Sequence, residues 1–222
     1  MRRLLRLFWL LLIPAALFVA AGTLDWPQGW IFLVEFVAGL FITMGWLKRH
    51  DEALFKERTT NSGRKSWALW DRLIGLAISV VWFGWIVLMA LDVKRWGLTA
   101  MPLGCAIAGA VLIPLGFLFA ATALKANTFA ATVVRLQDER GQRVVDTGLY
   151  AHIRHPMYTG SIIVHLGTAL LLGSWIGLPF VLLLAWLLAV RAVLEERLLC
   201  RGLPGYADYM ARVPWRLVPG VW

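Results

Sequence analysis

The chain has 222 residues, 60% of them hydrophobic and only 16% charged, with a formal net charge of +9. That apolar excess excludes an ordinary soluble domain and indicates a multi-span membrane protein with no room for a second folded domain. The basic residues flank the apolar runs and form no patch, which argues against a nucleic-acid partner and for contacts with anionic lipid headgroups.

The chain opens MRRLLRLFWLLLIPAALFVAAG, with the basic head, apolar middle and small residues of a signal peptide. It reads better as an uncleaved first span. Apolar segments follow one another over roughly 7–24, 29–47, 72–91 and 98–124. Each is near or above the ~20 residues that cross ~30 Å of hydrocarbon. Trp26, Trp30, Trp46, Trp67, Trp70 and Trp96 mark several of their ends, where indole rings favour the headgroup layer. These four predicted transmembrane helices, residues 1–124, form a membrane wall. Glu35 in the second is costly to bury, and is expected to line a cavity or to meet a polar neighbour.

A polar stretch, TVVRLQDERGQRVVDTG, follows the fourth span. Its alternation predicts a surface hairpin or an ordered loop with Gly141 in the turn. Next comes GLYAHIRHPMYTG. Pro156 suits the first position of a helix, where a missing N–H costs nothing, and it pushes His155 toward an extended conformation.

Residues 156–190 are apolar throughout, and as one helix they measure roughly 50 Å. That is too long for one span, and a single crossing strands Arg191 to Arg216 on the wrong side. A break at Gly173-Ser174 resolves both problems and gives two helices, about 156–172 and 176–200. Residues 125–222 thus comprise a loop, a helical hairpin over 156–200 and a tail. The resulting fold class is all-α and polytopic: four N-terminal spans plus a C-terminal helical hairpin.

With this topology, twenty of the twenty-two Lys and Arg residues fall on one side, leaving Lys94 and Arg95 on the other. The positive-inside rule makes the rich side cytoplasmic, so the N-terminus and the hairpin mouth face the cytoplasm of a cell inner membrane. Cys105 and Cys200 are far apart and read as ordinary thiols. No metal-ligand cluster of familiar spacing occurs, nor a Gly-rich phosphate loop.

Two polar clusters share the hairpin mouth. One is Tyr150, His152, Arg154, His155 and Tyr158; the other is Arg191, Glu195 and Glu196. Arg191 and Glu195 are four apart on one helical face, and Glu196 is turned about 100° further round. Together they offer cations, imidazoles, phenols, carboxylates and the free N–H groups of a helix start. Taken singly, each has a plainer reading: the cations as lipid-phosphate contacts, the tyrosines as interfacial belt residues, the glutamates as a solvated helix end. His165, two turns beyond Tyr158, either reaches the pocket or is a core histidine bonded to another helix.

The order GLYAHIRHPMYTG, hairpin, EERLL, then GLPGYADYMARVPWRLVPG resembles the C-terminal core of the isoprenylcysteine carboxyl methyltransferase family, which is itself similar to the phospholipid N-methyltransferases. The likeness covers about 127–220. It implies an integral-membrane enzyme that binds S-adenosylmethionine in a pocket at the cytoplasmic face and releases S-adenosylhomocysteine. By that resemblance His155 and Tyr158 hold the cofactor's methionine end, with Tyr150 and Arg154 close by. Glu195 and Glu196 match the family's paired glutamates of the cofactor pocket, and Arg191 stands where a catalytic arginine is expected. Glu195 is also a candidate catalytic group, since an amine acceptor needs a proton acceptor, a part open to Glu195 or His152. GLPGY replaces the Phe-Gly that precedes the tyrosine in the enzymes of lipid-modified proteins, so the resemblance carries no substrate identity.

The expected acceptor is lipophilic or membrane-associated. The alternatives are a phospholipid N-methyltransferase, a small-thiol S-methyltransferase and a nicotinamide-dependent sterol reductase of related fold. The non-enzymatic alternative is a transporter or assembly subunit, which predicts polar residues spread through the spans rather than gathered at one end.

Overall fold

A computed structural model describes residues 2–59 and 68–222, with the side chains of the first helix described from residue 12 onward. The observed helices are α1 (Arg2–Ala21), α2 (Pro27–His50), α3 (Glu52–Thr59), α4 (Leu69–Ala90), α5 (Leu103–Ala126), α6 (Pro156–Leu172), α7 (Gly177–Gly202) and α8 (Tyr206–Arg212). A π-helical turn, Leu91–Trp96, extends α4. No strand occurs among the described residues. The fold is all-α, as expected. The chain is an integral membrane protein: α2, α4 with its π turn, α5 and α7 are each long and apolar enough to cross a bilayer. The 17 residues of α6 make a shorter rod, roughly 25 Å. Trp67 lies outside the described residues.

The predicted hairpin is present. Pro156 occupies the start of α6. Gly173 ends the helix at φ +84°, donating its N–H to the Ala169 carbonyl. That left-handed cap is one glycine adopts without a Cβ penalty. The chain then reverses into α7.

α6 packs on α5 through backbone. A Cβ added to Gly109 or Gly116 would lie 2.3 Å from Leu171 N or 2.8 Å from Gly160 O; on α6, Gly160 and Gly167 face Ala120 N and Gly109 O at 2.9 Å. Lipid tails are as apolar as leucine, so helices in a bilayer gain from close van der Waals packing, which small residues permit. The seven-residue spacing of these glycines on both helices is the sequence cause of the contact.

α4 is joined to the hairpin at both of its ends. At one end Asp71 accepts a hydrogen bond from Arg191 Nε on α7, 2.9 Å. At the other, Asp92 accepts from Ser174 Oγ in the α6–α7 turn, 2.5 Å. Between them Trp85 Nε1 donates to the Gly177 carbonyl, 2.8 Å, within a core of Leu17, Phe32, Ile86, Met89 and Leu171.

The stretch 127–147 is an ordered loop with a 3-10 turn at Asp138–Arg140 and Gly141 left-handed at φ +61°. Its backbone groups pair with side chains instead of a second strand. The carbonyls of Thr128, Ala130 and Thr132 accept from Arg140, Arg58 and Arg191, while Val134 N donates to Asp71. Alternating apolar residues suit a strand, but long polar side chains reach this backbone first and satisfy it.

Candidate functional site

Four segments converge at the mouth of the hairpin: the loop 127–155, the start of α6, the last turns of α7 and the C-terminal tail. The tail holds the RHP segment by main-chain bonds, Arg154 N to Trp215 O at 3.0 Å and His155 N to Arg216 O at 2.9 Å. Tyr209 Oη adds a bond to the Tyr150 carbonyl, 2.8 Å, and Thr159 Oγ1 one to Leu217 O, 2.8 Å.

Glu196 lies at the centre of this clamp. Its Oε1 accepts from Arg154 Nε at 2.7 Å and lies 3.1 Å from His155 Nε2; its Oε2 accepts from Arg216 Nε at 2.9 Å. Arg154 also donates Nη1 to the Val213 carbonyl, 2.6 Å. Glu196, Arg154 and His155 are all buried. Buried charges are tolerated only when paired and fully hydrogen-bonded, and here the carboxylate is saturated from three sides.

Beside the clamp lies a cavity of about 300 Å³, at the lower end of the range for small-molecule sites. Of the eight residues in the two predicted polar clusters, six line it: Tyr150, Arg154, His155, Tyr158, Arg191 and Glu195. Glu196 does not. Tyr158 Oη donates to Glu195 Oε2, 2.6 Å. The His155 ring stacks on that of Tyr158, with centroids 5.3 Å apart and planes 6° from parallel. The Arg191 guanidinium lies over the Tyr158 ring, 5.7 Å from its centroid. Burial pushes the Tyr150 phenol up to about 12, so at neutral pH it is an uncharged donor. Burial likewise raises Tyr206 and Tyr209, which close the cavity on the α8 side.

Arg191 pairs with Asp71 on α4. His165 stays away from the cavity; it packs on Trp85, centroids 5.5 Å apart, near Ser161 Oγ at 3.4 Å. His152 is exposed and does not line the cavity. Glu35 does not line it either, and its buried Oε2 has no hydrogen-bond partner.

Sequence reasoning missed Asp71, Arg58 and Arg216. Asp71 was visible as an acid in the first turn of a span, in WDRL. The other two read only as topology-setting cations, and nothing in the sequence distinguishes them from their neighbours.

The fold and site define a class: an all-helical integral membrane protein with a polar cavity, lined by guanidinium, imidazole, phenol and carboxylate groups, at one end of its spans. Comparison with known proteins narrows it. Residues 105–202, from α5 through α7, match the family model of phospholipid methyltransferases. The chain is also 29% identical over 100 residues to protein-S-isoprenylcysteine O-methyltransferase of Schizosaccharomyces pombe, a match covering 44% of this chain and 42% of that protein. The chain is thus similar to both groups, as its motif order implies, through less than half the length of that relative. The tail that clamps the RHP segment lies beyond the family-matched residues.

Proposed function

We propose that the protein is an S-adenosylmethionine-dependent membrane methyltransferase acting on a lipophilic or membrane-associated acceptor. The observation that carries this reading is the convergence of Tyr150, Arg154, His155, Tyr158, Arg191 and Glu195 on one cavity at the end of apolar helices. When bound, the cofactor supplies an electrophilic methyl group on a sulfonium. Its amino-acid end carries a carboxylate and an ammonium, and its ribose a diol. The donor set fits that chemistry: guanidinium groups for the carboxylate, and Glu195 for the ammonium or the diol.

The residues divide into two roles. Glu195, held by Tyr158 Oη, presents a carboxylate to the cavity. Glu196 acts through Arg154 and His155, fixing their orientation from behind; it is a positioning residue and not a ligand contact. Arg191, itself held by Asp71 and the Thr132 carbonyl, orients the acceptor. In-line displacement asks mainly for alignment and exclusion of water, and the buried cavity floor suits both. An acceptor carboxylate or thiolate needs no base. The match to phospholipid methyltransferases favours a second reading, an amine acceptor, for which Glu195 is the proton acceptor within the cavity.

The cavity end carries the excess of Lys and Arg, which supports a cytoplasmic site and N-terminus in a cell inner membrane. In this arrangement residues 1–124 wall the site from lipid, with Arg58 of α3 reaching the cavity, and residues 125–222 supply the rest of its lining. The test is methyl transfer: purified protein with methyl-labelled S-adenosylmethionine and membrane extract should label a lipid-phase product. A well-folded preparation that labels nothing across lipid, prenylated-peptide and thiol acceptors contradicts the reading.

A further inference from the structure

Among the described residues, two guanidinium groups that line the cavity have no carboxylate at ion-pair distance: Arg143, which is exposed, and Arg58, which is part-buried. Arg154 is paired with Glu196 and Arg191 with Asp71. Arg135 takes Glu57 and Glu139. Arg58, which lines the same cavity, has no carboxylate within ion-pair distance among the described residues. The residues whose side chains are not described, 1–11 and 60–67, contain no Asp or Glu. The adjacent acid, Glu57, is turned to Arg135.

The position of Arg58 is built. Asp51 Oδ1 accepts from Leu54 N, 2.9 Å, and so caps α3. Leu54 is fully buried in a cluster with Leu47 and Leu124, with Met157 of α6 packed against it. Arg58 Nη1 donates to the Ala130 carbonyl, 2.6 Å. Its Nε is buried and has no hydrogen-bond partner. Tyr150, Tyr158 and the like-charged Arg191 surround it electrostatically, and loss of hydration pushes its pKa down. With Nη1 committed to Ala130, the Nε edge of the guanidinium remains for a planar, two-oxygen acceptor.

We propose that Arg58 is an anion-binding residue of this cavity, and that its Nε edge holds a carboxylate of the bound ligand. The inference rests on the methyltransferase reading and deepens it. Its residue lies on α3, outside the residues matched to the phospholipid methyltransferase family model. Two sources supply the same chemistry: the amino-acid carboxylate of the cofactor, or a carboxylate on the acceptor.

The experiment separates them. Protein in nanodiscs of neutral lipid is titrated by calorimetry with four probes. S-adenosylhomocysteine is set against 5′-methylthioadenosine, which lacks the amino-acid carboxylate. N-acetyl-S-farnesylcysteine is set against its methyl ester. In Arg58→Gln, the affinity for one carboxylate probe should fall about tenfold to a hundredfold, the size of a lost charge-assisted hydrogen bond, with its neutral counterpart within about twofold. Arg58→Lys keeps the charge without the fork, so it should fall between wild type and Arg58→Gln; it also serves if Arg58→Gln folds poorly. Loss confined to S-adenosylhomocysteine identifies the cofactor carboxylate, and loss confined to the farnesylcysteine identifies the acceptor. Equal weakening of a carboxylate probe and its neutral counterpart, or no change for any carboxylate probe that wild type binds, overturns the assignment. Wild-type protein that binds none of the probes overturns the methyltransferase reading itself.

Discussion

The two ends of the α6–α7 hairpin each bury a carboxylate, and they use it differently. At the far end Asp92 is fully buried and accepts from Ser174 Oγ and Thr99 Oγ1, both at 2.5 Å, while its Oδ1 has no partner. Neutral hydroxyls hold it, and neither Asp92 nor Ser174 lines the cavity. At the mouth, Glu196 is saturated by two guanidinium groups and an imidazole, one residue away from Glu195, which opens onto the cavity. A buried acid is therefore not the mark of a site. The mark is a saturated acid backing a partly satisfied set of groups that share one cavity.

The comparison breaks most visibly if the mouth is emptied. Glu196→Ala leaves Arg154 buried without its carboxylate, and removing one partner of a buried pair costs about 3–5 kcal/mol. Unfolding in detergent should show that loss, together with loss of S-adenosylhomocysteine binding. A variant of wild-type stability would mean that the clamp does not hold the site.

Glu195→Gln should separate stability from function. The Glu195 side chain is 25% exposed, and the amide oxygen still accepts from Tyr158. Stability should change by less than about 1 kcal/mol, while cofactor affinity falls about tenfold to a hundredfold from one lost charge-assisted bond. Equal affinity would move Glu195 out of the cofactor's reach.

Asp92→Asn should do least. The amide keeps an oxygen for the two hydroxyls, so stability should shift by no more than about 1 kcal/mol, with cofactor affinity unchanged. A large loss of binding would show that the far end is coupled to the mouth.

Much of this contrast was legible in the sequence. Pro156, Gly173 and a run too long for one span set the hairpin, because each acts locally on the backbone. The 100° between Glu195 and Glu196 follows from helical geometry, and the structure uses it: one faces the cavity and the other the clamp. What was not legible depends on through-space partners. Arg191 and Glu195 share a helix face, yet Asp71, 120 positions from Arg191, takes the guanidinium. His165 is in phase with Tyr158 but meets Trp85, because periodicity gives a face and not the neighbour across it. Arg58 counts as one basic residue among seven in its loop region until tertiary structure shows it lining the cavity with its Nε buried and without a hydrogen-bond partner.

The central claim is that the hairpin mouth is a cofactor site and the far end is not. Its most direct measurement is calorimetry of S-adenosylhomocysteine against wild type, Glu195→Gln and Asp92→Asn in nanodiscs. The account predicts one site per chain in wild type, the same site in Asp92→Asn, and a weakened one in Glu195→Gln. Folded wild-type protein that binds no S-adenosylhomocysteine, or binding that Asp92→Asn abolishes and Glu195→Gln preserves, would contradict it.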